Sequence, residues 1–183
     1  MVYVFLAQGF EPIEAITPID MLRRAQIEVT SVSISDSLSV RAAHGVTVQA
    51  DALFRDLDFR DAEMLVLPGG QPGTTNLSRF EPLCSLLKEA PKRGIELAAI
   101  CAAPSVLEGL GLLDGLKATI YPGCALGTGG ACFTDAFTER DGSVTTAVGP
   151  AAALAFGARL ITVLRGEAVS DAVLKAMQYD KRQ

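Results

Sequence analysis

At 183 residues, 49% of them apolar and 20% charged, the chain can form one well-packed domain that buries roughly 70% of its unfolded surface. A formal net charge of −5 gives nucleic acid or an anionic membrane surface no electrostatic attraction. No apolar run approaches the ~18 residues of a membrane span, and the N-terminal run lacks the basic flank of a secretion signal, which points to the cytoplasm.

Strand-like and helix-like patterns alternate along the chain. Val2–Leu6 is a short apolar run. In Glu11–Ala25, apolar residues at Ile13, Ile16, Ile19 and Leu22 recur at helical spacing. Ile27–Ile34 alternates like a strand, and Val46–Gln49 is a shorter one. Met64–Leu67 is apolar and stops at Pro68-Gly69-Gly70. A helix is predicted over Pro82–Lys92, a strand over Ile95–Ile100 and a helix from Ala102 to about Leu110. Leu116–Ile120 is a further strand candidate. Phe137–Glu139 and Val144–Val148 flank Asp141-Gly142, a strong hairpin signal. Pro150 suits a first helical position ahead of the apolar helix Ala151–Leu164, and a last helix covers about Glu167–Met177. With no linker, repeat or charge block, a single domain over residues 1–183 is expected. The alternation predicts an α/β fold whose mostly parallel sheet is covered by helices on both faces. Ligands of such folds bind at the carboxyl ends of the strands.

Four cysteines, Cys84, Cys101, Cys124 and Cys132, stand apart without a CxxC pair, so free thiols are expected rather than a disulfide framework. A single histidine, His44, argues against a zinc site, and no metal or organic cofactor is expected. Cys124 and Cys132 share a Gly-rich loop and form the one alternative pair that would approach each other or a metal.

Cys101 stands apart from the other three. The run Ile95–Ile100 ends on it, and Ala102-Ala103-Pro104-Ser105 opens a helical pattern. A thiol there sits near exposed helix N–H groups and is expected to ionise more easily than a free thiol. The bland alternative is a small buried apolar residue. Two other strand ends converge with it: Gly9-Phe10-Glu11-Pro12-Ile13-Glu14, and Leu67-Pro68-Gly69-Gly70, whose glycines let backbone N–H groups face a ligand. Together they offer a nucleophile, a carboxyl group to exchange a proton, and donors for an oxyanion. The acidic residues also suit a helix start for dipole reasons alone, and the Gly pair also suits a plain tight turn. Apolar Ile16 and Ile19 after Glu14 place that carboxyl on a partly buried side, which raises its pKa. A lone loop histidine such as His44 reads first as a solvated surface residue.

Gly9-x-Glu11-x-x-Glu14, Leu67-Pro68-Gly69-Gly70, Ala98-Ala99-Ile100-Cys101-Ala102-Ala103-Pro104 and Val148-Gly149-Pro150 resemble, in order and spacing, the ThiJ/PfpI superfamily. Within it the chain is most similar to the branch of the Parkinsonism-associated deglycase (DJ-one) and its bacterial relatives. The resemblance covers essentially the whole chain, and it implies a flavodoxin-like α/β sandwich and a homodimer. It implies that Cys101 is the cysteine of a nucleophile elbow and that a protonated Glu14 hydrogen-bonds its sulfur. Gly70 and Ala102 would be the backbone donors, with Gly69, Tyr121, His44, Arg24, Gly149 and Pro150 as candidate pocket residues. The cysteine of this family oxidises readily to a sulfinate held by the same glutamate. Two positions depart from the pattern. Tyr121-Pro122 stands where some members have a histidine before the proline, which removes a Cys–His dyad of that kind. His44 stands where some have an arginine, which weakens anion capture near the thiol.

The resemblance implies a glyoxalase or deglycase that acts on small reactive aldehydes, or on glycated protein, without glutathione. The rival reading is a redox sensor or redox-regulated chaperone that uses oxidation of Cys101. A peptidase or amidotransferase-like hydrolase is disfavoured because Ala102, not histidine, follows the cysteine. The first helix, with Asp20 and Arg24, and the segment around His44 are the expected dimer contacts.

Overall fold

A seven-stranded sheet organises the computed structural model, which describes residues 1–179. The strands are β1 (Val2–Leu6), β2 (Val29–Ser33), β3 (Ser39–Arg41), β4 (Thr47–Gln49), β5 (Ala52–Leu53) and β6 (Met64–Leu67). They continue with β7 (Glu96–Ile100), β8 (Lys117–Ala118), β9 (Cys132–Phe133), β10 (Thr138–Asp141) and β11 (Val144–Ala147). The helices are α1 (Pro12–Arg24), α2 (Gly73–Arg79), α3 (Glu81–Glu89), α4 (Pro104–Gly109), α5 (Ala153–Arg165) and α6 (Glu167–Ala176). The main sheet runs β10-β11-β7-β6-β1-β2-β5. All its pairings are parallel except the β10–β11 hairpin. β3 with β4, and β8 with β9, form separate small sheets.

Strand residues alternate between two apolar layers because successive side chains point to opposite faces. Val2, Val4, Leu6, Val66, Ala98 and Ile100 pack with Met21, Leu22, Phe156 and Leu160 of α1 and α5. Tyr3, Phe5, Leu65, Leu67, Leu97 and Ala99 pack with Leu77, Leu83, Leu87 and Leu107 of α2, α3 and α4. With both faces covered, β1 and β6 are buried at every position, which explains their unbroken apolar runs. The result is the flavodoxin-like α/β sandwich expected from the sequence.

The chain starts in mid-sheet at β1, builds outward through β2 to β5, then returns to β6 and builds the other way through β7 to β11. Strand order therefore reverses between β1 and β6, and the carboxyl ends of the strands at such a reversal are where ligands of open α/β sheets bind. The segments after β1, β6 and β7 all emerge there.

Several predicted elements shorten. The strand expected over Leu116–Ile120 is the two-residue β8, paired with β9 rather than with the main sheet. The helix expected from Ala102 begins at Pro104, after a turn. Pro150 opens a single 3-10 turn, Pro150–Ala152, and α5 proper starts at Ala153. Among the described residues no helix is long and apolar enough to cross a membrane.

Candidate active site

The turn after β1 docks onto the turn after β6. Glu11 N–H donates to the Gly69 carbonyl at 2.9 Å. This approach is close enough to exclude side chains: a Cβ on Gly70 would lie 2.5 Å from Glu11 N and 2.7 Å from Gly9 O. Gly70 also takes φ +88°, which glycine adopts without steric cost. The paired glycines thus let two backbones meet at the strand ends.

Glu14 lies in the first turn of α1 and is fully buried. Its Oε2 accepts the Gly69 N–H at 2.9 Å. Its Oε1 is buried without a hydrogen-bond partner among the described residues, and Cys101 is the neighbouring group that acts on the carboxyl. Burial pushes the Glu14 carboxyl up to about 7, with Glu11 adding a smaller push; the Cys101 and Gly69 hydrogen bonds act the other way.

Cys101 ends β7 with φ +64°, in the left-handed region. Both its backbone groups are fixed. Its N–H donates to Ala147 O at 2.8 Å, and its carbonyl accepts the Tyr121 N–H at 2.9 Å. This backbone points the side chain out of the strand toward Glu14, while the N–H groups of Ala102 and Gly70 face the sulfur. The four residues the sequence nominated at the chemistry, Cys101, Glu14, Gly70 and Ala102, come together, with Gly69 between them.

The expected acidity of the thiol needs correction. Burial, then the Glu14 charge and hydrogen bond, push Cys101 up to about 12, against the opposing pull of the Ala102 and Gly70 N–H groups. The helix-start argument identified that pull and missed the larger opposing effects. With the Glu14 carboxyl pushed up to about 7 and the Cys101 thiol to about 12, the carboxyl gives up its proton first and the thiol keeps its own across the neutral range.

The remaining nominated residues fall into two groups. The Tyr121 backbone touches Cys101, and its ring lies against Gly149, where an added Cβ would be 3.2 Å from Cδ2. Pro150 follows directly, on the first turn before α5. His44 reaches the site only through Glu11, with Nε2 3.6 Å from Oε2, and its side chain is 80% exposed. Arg24 is not brought to the site. It pairs with Asp20 at 2.7 Å in the last turn of α1, about 15 Å along the helix from Glu14.

One carboxyl near the site escaped the sequence reading. Glu108 on α4 is buried and accepts backbone N–H groups from Leu126, Gly127 and Thr128. An acidic residue among the buried Pro104, Val106 and Leu107, ahead of a Gly-rich loop, was the available signal.

A family model described as the DJ-1/PfpI family matches residues 1–163. The chain is 37% identical over 169 residues to protein DJ-1 homolog B of Arabidopsis thaliana, covering 91% of this chain and 38% of that protein. The chain thus spans less than half the length of this plant relative. It is 32% identical over 123 residues to a protein named a deglycase from Pyrococcus abyssi, covering 67% of this chain and 72% of that one. The solved structure of oxidised Toxoplasma gondii DJ-1 superposes with a TM-score of 0.93 at 34% identity, covering 97% of each chain. None of these three is bacterial, so they lend no support to the bacterial-type placement expected from the sequence. They agree with the four motifs on the wider group: this chain belongs to the DJ-1/PfpI family.

Proposed function

We propose that the chain is a cysteine-dependent enzyme of glyoxalase or deglycase type, acting on small 2-oxoaldehydes or their early adducts with protein. The observation that supports this reading is the buried Glu14 carboxyl beside Cys101, with the N–H groups of Gly70 and Ala102 facing the sulfur. The Cys101 thiol passes its proton to the ionised Glu14 as its sulfur adds to the aldehyde carbon of methylglyoxal. The new carbonyl-derived oxyanion is met by the N–H groups of Gly70 and Ala102 and takes that proton from Glu14 to give a hemithioacetal. Glu14, ionised again, removes the proton from that carbon and returns it to the neighbouring carbon, while the hydroxyl proton passes to the neighbouring oxygen, which converts the hemithioacetal into a 2-hydroxy thioester. Water cleaves the thioester, releasing lactate and restoring the thiol. A carboxyl held near 7 suits this exchange because it both accepts and donates at neutral pH. The name of the archaeal relative supports a deglycase-type substrate.

The deciding experiment is lactate formation from methylglyoxal by the wild type and by Cys101→Ser, with the thiol state verified by intact mass. Turnover in the wild type and its loss in the variant are expected. Equal rates would remove Cys101 from the chemistry.

A redox reading is favoured by a separate observation. Glu14 Oε1 is buried and open toward the sulfur, placed to donate its proton to an oxidised cysteine. Oxidised DJ-1 of Toxoplasma gondii shares this fold closely.

A further inference from the structure

Glu108 is a buried acidic side chain that the chemistry leaves unused; it is only 3% exposed. Its Oε2 accepts the Leu126 N–H at 2.8 Å, and its Oε1 accepts those of Gly127 at 2.8 Å and Thr128 at 3.3 Å. Three consecutive N–H groups converging on one carboxylate form a backbone anion nest, here filled by the chain's own side chain. Gly127, at φ +67°, supplies the left-handed residue that lets them converge.

The other end of the same loop is Tyr121. Its N–H holds the Cys101 carbonyl at 2.9 Å, and its carbonyl takes the Cys124 N–H at 3.0 Å. Residues 121–128 are therefore tied at both ends to one unit, the Cys101 elbow with α4. Side-chain packing adds little to this stretch beyond Leu126 Cδ1 lying against Gly109 of α4. Leu126 is 53% exposed, and open space surrounds the Cβ positions of Gly123 and Gly127. The Glu108 hydrogen bonds do the work that side-chain packing does elsewhere.

We propose that Glu108 is a positioning residue for Cys101: by clamping Leu126–Thr128 to α4 it fixes Tyr121 beside the elbow and sets the size of molecule that reaches the sulfur. It does not touch the reacting atoms. The proposal rests on the reading of Cys101 as the reactive thiol, so its test measures thiol access directly as well as turnover.

The variant is Glu108→Gln in the full chain, because an amide replaces one acceptor oxygen by a donor that faces another donor. Amide hydrogen exchange is followed at residues 126–128, and alkylation of Cys101, located by peptide mass, is timed with iodoacetamide and with N-phenylmaleimide. Exchange at the three amides is expected to quicken by about tenfold or more, and the bulky-to-small rate ratio to rise by about threefold. In steady-state turnover of methylglyoxal, KM should change more than kcat. Gly127→Ala strains the nest without altering Glu108, should move the ratio the same way, and decides the matter if Glu108→Gln fails to fold. An unchanged ratio at a reactive Cys101, in a folded variant whose loop amides exchange faster, overturns the positioning role alone. A Cys101 inert to both reagents in every form overturns the proposal together with the reactive-thiol reading.

Discussion

Gly69 is wedged between Glu14 and Cys101: a Cβ on it would lie 2.6 Å from Glu14 Oε2 and 2.7 Å from Cys101 Cβ. The same residue donates its N–H to Glu14 and accepts the Glu11 N–H through its carbonyl. Its missing side chain thus sets the spacing between the carboxyl and the thiol.

Gly69→Ala follows from this geometry. The new methyl group must displace either the carboxyl or the elbow, at about 1–3 kcal/mol of overpacking. Denaturant unfolding should show that loss, and turnover should fall by more than about tenfold, since a misplacement near 1 Å costs about a hundredfold. Wild-type turnover in a folded Gly69→Ala protein would separate the chemistry from the Glu14–Cys101 spacing.

Glu14→Gln should act on both acidity and stability. Removing the Glu14 charge takes away one of the pushes on the thiol, so the Cys101 pKa should drop from about 12. Thiolate absorbance against pH reads this directly. The folded protein holds Glu14 neutral up to about 7, against an ordinary 4.5, so the stability contributed by that proton is complete below about 4.5 and is lost as pH rises through 7. The melting temperature of the wild type should therefore decline relative to Glu14→Gln across this window and stay parallel below it. Parallel curves from pH 4 to 9 would show that Glu14 titrates like an exposed carboxyl.

Low peroxide should place two oxygens on Cys101 first, one peroxide reduced to water per oxygen added. The Gly70 and Ala102 N–H groups and a protonated Glu14 are placed to hold the oxidised sulfur. Cys84 should resist longest, because it is buried and its Sγ–H donates to Ser78 O at 3.3 Å. Peptide mass mapping over time decides the order, and first oxidation at the exposed Cys132 would move the redox site to the Gly-rich loop.

A two-fold homodimer should form through the outer face of α1. Ile13 is 52% exposed and Ile16 40% exposed, on consecutive turns of a helix whose other face is core, and Val46 near His44 is also uncovered. Light scattering should give about twice the chain mass of 19.2 kDa. Ile16→Glu should dissociate the pair and lower turnover, because α1 also carries Glu14. A monomeric wild type with full activity would end this reading.

The parts of the fold that were legible in the sequence are those where burial writes a pattern. β1 and β6 were read to the residue because both faces of each strand are covered and turn residues bound the apolar run. β3, β5 and β9 escaped notice because pairings of two or three residues carry no periodicity. α2 escaped because Gly73-Thr74-Thr75-Asn76 are poor helix formers, held by the buried Leu77 and Thr74. At the site, positions were readable and environments were not. Cys101 and Glu14 could be placed at strand ends, yet the rise in the thiol pKa depends on burial and on a carboxyl brought from another element. Arg24, nominated as a pocket and dimer-contact residue, lies in the last turn of α1, paired with Asp20, and within one chain it does not reach the site. Glu108 left little trace because its partners are backbone N–H groups, present in any sequence.

The left-handed backbone of Cys101 has a consequence for how the reaction is timed. Such a conformation costs about 1–3 kcal/mol in a residue with a side chain. Ala147 and Tyr121 hold both its peptide groups, so the chain cannot relax out of it. That expense is met once, when β7 and β11 come into register, and not at each turnover. On the proposed reading, the sulfur is already aimed when a substrate arrives, and the orientational entropy that a flexible thiol would surrender at every encounter has been removed during folding.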